Sequence, residues 1–267
     1  MKRYFLCALG LAFILAFIDS CIIAVVDYPQ GTVGRSLGEF HKVVSFQSGG
    51  TLSLENINGN IEIVGWEKNE VEVSAERMAP FSYRRRLYWQ PAGRFLPEVD
   101  FDKFENFIKI KTKPASWDKE LTSVNFYISV PHSINLKDII AKEGNISLAD
   151  LYGKAVIDLR DGEINVENFS GSLSASVVKG GVKASLYDLR NEDEIQITVG
   201  QGDIIINLQP EVKTRIEAST PEGNISSDFD LKEPLPAKKV TAQIGEEGAL
   251  LSLSSLKGDI RINKLQK

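Results

Sequence analysis

The side chains that most often carry out chemistry are scarce in this sequence. Its 267 residues include only two cysteines and two histidines, Cys7, Cys21, His41 and His132. A zinc site of three histidines or four cysteines is therefore excluded, and at most one disulfide could form. Neither histidine lies in a nucleophile–base motif, and His132 follows Pro131, where we predict a surface turn. We predict no catalytic residue and no cofactor.

Carboxylates and amides give two further candidate sites. A polar residue follows the turn glycine of a recurring motif, which gives the series Asn60, Asn145, Glu163, Asp203, Asn224 and Asp259. Calcium takes such oxygen ligands, but β-repeats that bind calcium have a period of about nine residues. We therefore interpret the series as residues that favour turns and predict no metal site. Asp158 and Glu163 could act as an acid–base pair, although solvated strand faces explain the scattered carboxylates better.

Arginine and aromatic residues form the best candidate contact site. Between Pro80 and Phe95 three consecutive arginines lie among aromatic residues, and the central side chains are Tyr83, Arg84, Arg85, Arg86, Tyr88 and Trp89. Such side chains are frequent at interfaces, and arginine also binds anionic groups. The alternative is a loop that folds its aromatics over an open end of a β-stack and leaves its arginines in solvent.

The first 26 residues are predicted to direct export. Two basic residues precede an apolar run from Tyr4 to Ile18, as in a signal peptide. Cys21, with Ser20 before it, resembles the cysteine of a bacterial lipoprotein signal, which implies a diacylglycerol on Cys21. The apolar stretch continues to Val26 and is long enough for an uncleaved membrane anchor, and simple secretion is the third alternative. All three place the remaining chain outside the cytoplasm.

A glycine repeat predicts the elements that position these residues. Seven copies of Gly-x-Ile or Gly-x-Val begin at Gly59, Gly144, Gly162, Gly180, Gly202, Gly223 and Gly258. Apolar and polar residues alternate after each glycine, which is the period of a β-strand. Glycine also allows the positive φ that a sharp corner needs. Each unit is therefore predicted to contain a glycine turn, a strand, a second turn and a second strand.

Stacking of these units predicts the fold. Units of about 18–22 residues, stacked ~4.8 Å apart, would bury a continuous apolar core. We expect an all-β, flattened β-solenoid, with an antiparallel β-sandwich as the alternative. The predicted organisation is a signal peptide or N-terminal anchor at 1–26, a linker at 27–40, and a β-repeat domain at 41–267 with an inserted loop at 78–102. Gly258 to Leu265 is expected to close the stack.

One segment carries a family resemblance. Residues 144–166, GNISLADLYGKAVIDLRDGEINV, and the preceding strand that ends at Val130-Pro131 resemble the bacterial putative-adhesin family of domains of unknown function. The resemblance covers about residue 45 onward, except for the 78–102 loop. It implies a β-repeat at the cell surface and supplies no catalytic residues.

These observations predict a non-enzymatic, membrane-anchored protein of the cell envelope, with the lipoprotein favoured. Its rigid β-repeat surface would serve adhesion, scaffolding or binding of an envelope protein or glycan. Nucleic acid is not an expected partner, because the net charge is −5. One alternative is an enzyme on carbohydrate or peptidoglycan that uses carboxylates of the solenoid face. The other is an accessory or sensor subunit of a membrane regulator.

Overall fold

The computed structural model describes residues 34–80, 96–114, 123–232 and 234–265, and every regular element in these ranges is a β-strand. The strands are β1 (Gly34–Ser45), β2 (Thr51–Asn58), β3 (Ile61–Trp66), β4 (Glu70–Pro80), β5 (Glu98–Phe104), β6 (Phe107–Lys113), β7 (Ser123–Pro131), β8 (Asn135–Glu143), β9 (Ile146–Asp161), β10 (Ile164–Lys179), β11 (Val182–Leu186), β12 (Glu194–Gln201), β13 (Ile204–Leu208), β14 (Thr214–Ser219), β15 (Ile225–Ser227), β16 (Lys239–Ile244), β17 (Ala249–Lys257) and β18 (Ile260–Lys264). None of the described segments forms a helix with the length and apolar character needed to cross a membrane.

The strands pair in two ladders that are joined through the long strands β9 and β10. The first ladder runs β1, β4, β7, β3, first half of β9, first half of β10, β11, β13, β18, β15. The second runs β5, β6, β2, β8, second half of β9, second half of β10, β12, β17, β14, β16. Antiparallel pairs occur only near the ladder ends in these ranges, and the interior pairs are parallel.

Strands β9 and β10 each form one coil of the stack, with the first half of the strand in the first ladder and the second half in the second ladder. They lie parallel with an offset of 18 residues, from Ile164 opposite Ile146 to Lys179 opposite Asp161. Each bends between the two ladders at a residue with positive φ, 57° at Asp150 and 49° at Asn168. Parallel stacking of matched columns is the arrangement of a solenoid, so the predicted β-solenoid is confirmed and the sandwich alternative is wrong.

The core contains the residue two positions after each repeat glycine. All seven are at most 2% exposed: Ile61, Ile146, Ile164, Val182, Ile204, Ile225 and Ile260. In the second ladder Ala155, Ile157 and Leu159 of β9 and the matching residues of β10 are also buried. Full burial of an aliphatic side chain contributes roughly 1.5–3 kcal/mol, so these columns hold the coils together.

The order of the coils differs from their order in the sequence. Strand β3 lies between β7 and β9, and β18 lies between β13 and β15. The expectation that Gly258 to Leu265 closes the stack is therefore wrong. The repeat specifies the shape of a coil, and any coil with a matching column can stack between two others, so the pattern does not encode which coils are neighbours.

Two predicted boundaries also change. Residues 34–40, placed in the linker at 27–40, form the first part of β1, which pairs with β4. The inserted loop at 78–102 is shorter than predicted, because β4 extends to Pro80 and β5 begins at Glu98. The rings of Phe40 and Phe101, 6.4 Å apart, pack against the core where β1 and β5 meet.

Candidate functional site

The seven repeat glycines lie in one column at a corner of the solenoid. A β-carbon on each glycine from Gly144 onward would overlap the carbonyl oxygen of the glycine in the neighbouring coil. The column runs Gly59, Gly144, Gly162, Gly180, Gly202, Gly258 and Gly223. Six of them have positive φ, and Gly223 is the exception. Close approach of successive coils is therefore the requirement that all members of the column share.

Residues that follow the repeat glycines form two hydrogen-bonded ladders, which are separated at Gly181, where there is no side chain. The Oδ1 atom of Asn145 accepts the backbone N–H of Glu163 at 3.0 Å, and the N–H of Asn145 donates to Oδ1 of Asn60 at the same distance. Further along, Oδ1 of Asp203 accepts the N–H of Asp259 at 2.8 Å. Asn125, which the repeat did not reveal, extends the ladder by accepting from Asn60.

These contacts show what the polar series does. Arg261 lies 3.0 Å from the carboxylate of Asp203 and 3.1 Å from that of Asp259, so both charges are paired. Asn224 continues the ladder, since its N–H donates to Asp259. Among residues 34–80, 96–114, 123–232 and 234–265 no group of three or more His, Cys, Asp or Glu side chains is placed to hold a metal ion. The oxygens stabilise turns between coils.

The two histidines lie at different places. His132 follows β7, and its Nδ1 lies 2.7 Å from the carbonyl oxygen of Asp150. Its ring stacks on that of Tyr152 with centroids 6.2 Å apart. His41 lies in β1, with Nε2 3.0 Å from the carboxylate of Glu72. Both contacts tie neighbouring strands together, and neither places a nucleophile beside the imidazole.

The acid pair proposed for hydrolysis does not form a cluster. Asp158 is exposed on the outward face of the second ladder, in register with Ile140 and Ser176. Glu163 is exposed in the glycine turn, beyond the end of β9. Because a glycosidase needs two carboxyl groups that converge on one bond, this arrangement does not support that chemistry.

Charged residues at the β6 end of the second ladder satisfy one another. Lys111 and Lys109 contact Glu55 with N–O distances of 2.6 and 3.5 Å, and Lys113 contacts Asp100 at 2.6 Å. The hydrogen bond from Lys111, together with the two lysine charges, lowers the pKa of Glu55. The bond to Asp100 raises the pKa of Lys113. This strip of paired charges is a structural feature of the sheet.

The central outward surface of the second ladder is different, because it carries small neutral side chains. We name this surface the hydroxyl face. It comprises the in-register residues Ser174, Ser176, Gln196, Thr198, Ser252, Ser254 and Ser219. Beside it, Val178 and Leu256 are 53% and 62% exposed and flank Gly200. Serine at every second position of β10, at Ser172, Ser174 and Ser176, is the signal of this face in the sequence.

Two predicted sites lie outside the described residues. Cys21 belongs to residues 1–33, and the contact loop with Tyr83, Arg84, Arg85, Arg86, Tyr88 and Trp89 belongs to residues 81–95. Lipidation of Cys21 and contact through the arginine loop stay predictions.

The fold and the glycine column define a β-solenoid repeat domain without a reactive cluster in its described part. Residues 105–263 match the Toastrack DUF4097 family, and the chain belongs to this family. The putative-adhesin resemblance of the sequence is thereby confirmed. No curated protein matches the chain.

Two solved structures are similar to the chain at low sequence identity. A "putative cell adhesion protein" of Clostridium sporogenes has a TM-score of 0.50 and 12% identity, over 85% of this chain and 100% of that chain. A "putative adhesin" of Bacteroides fragilis has a TM-score of 0.36 and 11% identity, over 86% of this chain and 98% of that chain. The Clostridium structure supports the same β-repeat architecture.

Proposed function

We propose that this chain is a non-enzymatic protein of the cell envelope, exported and held at the membrane by its N-terminal segment, that presents its β-repeat as a rigid binding surface. The observation that carries the proposal is the stack itself. The glycine column brings successive coils into backbone contact, and both ladders project rows of outward side chains. A rigid surface of repeated rows suits an extended partner, because little conformational freedom is lost on binding.

Two further observations support a binding role over an enzymatic one. Acids such as Glu55 and Asp203 are paired with basic side chains, and the described residues contain no group of three or more His, Cys, Asp or Glu placed to hold a metal ion. The Clostridium sporogenes structure with the shared fold is described as a "putative cell adhesion protein", which agrees with a role at the surface.

The sequence of the first 26 residues supports a mode of anchoring. We propose that Cys21 carries a diacylglycerol. Twelve residues separate Cys21 from Gly34, where β1 begins. A linker of this length spans at most ~45 Å when extended, so the β-domain would stay close to the membrane surface.

Export and anchoring are tested together in bacterial cells that express the full chain with a C-terminal tag. We expect an added protease to remove the tag from cells with a permeabilised outer layer and intact cytoplasm, and mass spectrometry to find a diacylated Cys21. The matched variant Cys21→Ser should lose the lipid and leave the membrane fraction. A variant that stays in the membrane supports the uncleaved anchor instead, and a tag cleaved only after complete lysis would overturn the proposed location.

Binding is tested separately with isolated envelope material. The full chain, purified in detergent, should sediment with the envelope at a concentration where a protein of similar charge does not. It should release no soluble sugar or peptide from that material. Absence of sedimentation would overturn the binding role, and steady release of sugar or peptide would show an enzyme.

A further inference from the structure

We infer that the hydroxyl face binds a neutral, extended polysaccharide whose sugar units run across the strands, from β10 over β12 and β17 to β14. The inference rests on the proposed binding function and adds the surface and the ligand class. It starts from the distribution of charge over the second ladder.

Charge is absent from the hydroxyl face and present on both sides of it. Strand β9 projects Lys154, Asp158 and Arg160 outward, and β14 projects Arg215 and Glu217. The exposed Glu194 borders the face at the start of β12. A quarter of the whole chain is charged, so seven neutral outward positions in register form a distinct surface. A charged ligand placed there would lose water without gaining a counter-charge, which selects for a neutral ligand.

The hydrogen-bonding groups of the face match those of a sugar. A serine or threonine hydroxyl donates one hydrogen bond and accepts two, and the Gln196 amide does both. In the described part of the chain, the side chains of Ser176, Thr198 and Ser254 make no hydrogen bond within the protein. These three side chains are exposed or half-buried in one row, so their hydroxyl groups can form hydrogen bonds with solvent or with a ligand.

An apolar slot lies along the same face. Val178 and Leu256 project outward two strands apart, about 10 Å at the usual strand spacing, with Gly200 between them. A β-carbon at Gly200 would lie 2.5 Å from the carbonyl oxygen of Val178, so glycine keeps the floor of the slot open. A pyranose ring combines a C–H face with hydroxyl edges, and this slot beside a row of hydroxyls offers partners for both.

The regular spacing of the hydroxyl side chains across the strands favours an extended ligand. The row Ser176, Thr198, Ser254, Ser219 crosses four strands, about 14 Å in three spacings of ~4.8 Å. The strand spacing is close to the length of one sugar unit in an extended chain. Successive sugars can therefore make the same contact with successive strands, whereas a single sugar would occupy only one part of the row.

The test measures sedimentation of the full chain, in detergent, with insoluble cellulose and chitin as neutral extended polysaccharides. Thr198→Lys places a charge at the centre of the row, and we expect at least tenfold weaker binding. Val178→Ser combined with Leu256→Ser removes the walls of the slot and should weaken binding by a similar factor. Ser147→Lys, on the outward face of the first ladder, is the matched control and should bind as the wild type does.

Circular dichroism of each variant verifies that the β-signal is retained. Binding to either polysaccharide that Thr198→Lys weakens and Ser147→Lys does not would support the inference. Equal binding by the two lysine variants would overturn it. So would self-association that Thr198→Lys abolishes, because the face would then bind a second copy. If the chain binds isolated envelope but neither polysaccharide, the inference is wrong and the proposed function stands.

Discussion

Replacement of Gly162 by alanine tests the glycine column directly. Gly162 has a φ of 140°, in a region that only glycine adopts easily, which costs another residue about 1–3 kcal/mol. The added β-carbon would also overlap the carbonyl oxygen of Gly144, and the backbone shift needed to relieve such overpacking costs about 1–3 kcal/mol. We expect the free energy of unfolding to fall by about 2–6 kcal/mol, a large share of the ~5–15 kcal/mol of an ordinary domain.

The assay is thermal unfolding followed by circular dichroism. For a domain of this size one kcal/mol shifts the midpoint by roughly 2–4 °C, so Gly162→Ala should lower it by about 5–20 °C. The matched control is Gly181→Ala. Gly181 follows the column glycine Gly180 and does not have a positive φ. A β-carbon at Gly181 would be 3.1 Å from the carbonyl oxygen of Asp203. A small movement relieves that contact, so the control should shift the midpoint by at most about 3 °C.

A small effect of Gly162→Ala would contradict the proposed role of the glycine column. If Gly162→Ala unfolds within about 2 °C of the wild type, or if it is no more destabilised than Gly181→Ala, then close coil contact at the glycines does not hold the stack. The column would then be only a consequence of turn preference.

Three further predictions concern other parts of the solenoid. Asn145→Ala removes the acceptor for the N–H of Glu163 and should lower the free energy of unfolding by about 1 kcal/mol, whereas Asn145→Asp should retain most of it; equal losses in thermal unfolding would contradict the ladder. Hydrogen–deuterium exchange should be slower in β18 than in β15, because β18 is paired on both sides; equal rates would contradict the observed coil order. The pKa of Glu55 is lowered below its ordinary 4.5 in the folded protein, mainly by Lys111. The contribution of this ion pair to the free energy of unfolding is therefore present above pH 4.5, and it is lost as the pH falls through the pKa of the folded state. Glu55→Gln should therefore destabilise by up to about 1 kcal/mol at pH 7 in urea unfolding and by progressively less below pH 4.5, and a loss independent of pH would argue against the ion pair.

Local patterns of the sequence predicted the coil well. The Gly-x-Ile motif determines a turn and the inward strand residue after it, and Ile146, Ile164 and Ile204 are buried as that pattern requires. Both properties depend on neighbours within one unit, so they can be read from a short window. The same windows predicted parallel columns, because units with equal spacing superpose when stacked.

Long-range order could not be read in this way. Insertion of β3 between β7 and β9, and of β18 between β13 and β15, depends on which interfaces are most favourable among similar coils. Every unit presents an almost identical aliphatic column, so the sequence does not distinguish the neighbours of Ile260 from those of Ile225. The strand at 34–40 was missed for a related reason, since its pairing with β4 comes from a distant segment.

The threaded order has a consequence for cooperativity. In a solenoid stacked in sequence order, each coil contacts only neighbours in the chain, and unfolding can proceed unit by unit. Here the coil of β17 and β18 lies between two coils from earlier in the chain. It pairs with β12 and β13 on one side and with β14 and β15 on the other, so loss of this coil would separate those two earlier coils. The pairs of β2 and β3 with β6 to β9 have the same effect at the other end. Contacts between distant segments couple the two ends of the stack to its middle, which favours unfolding of the whole stack as a single cooperative unit.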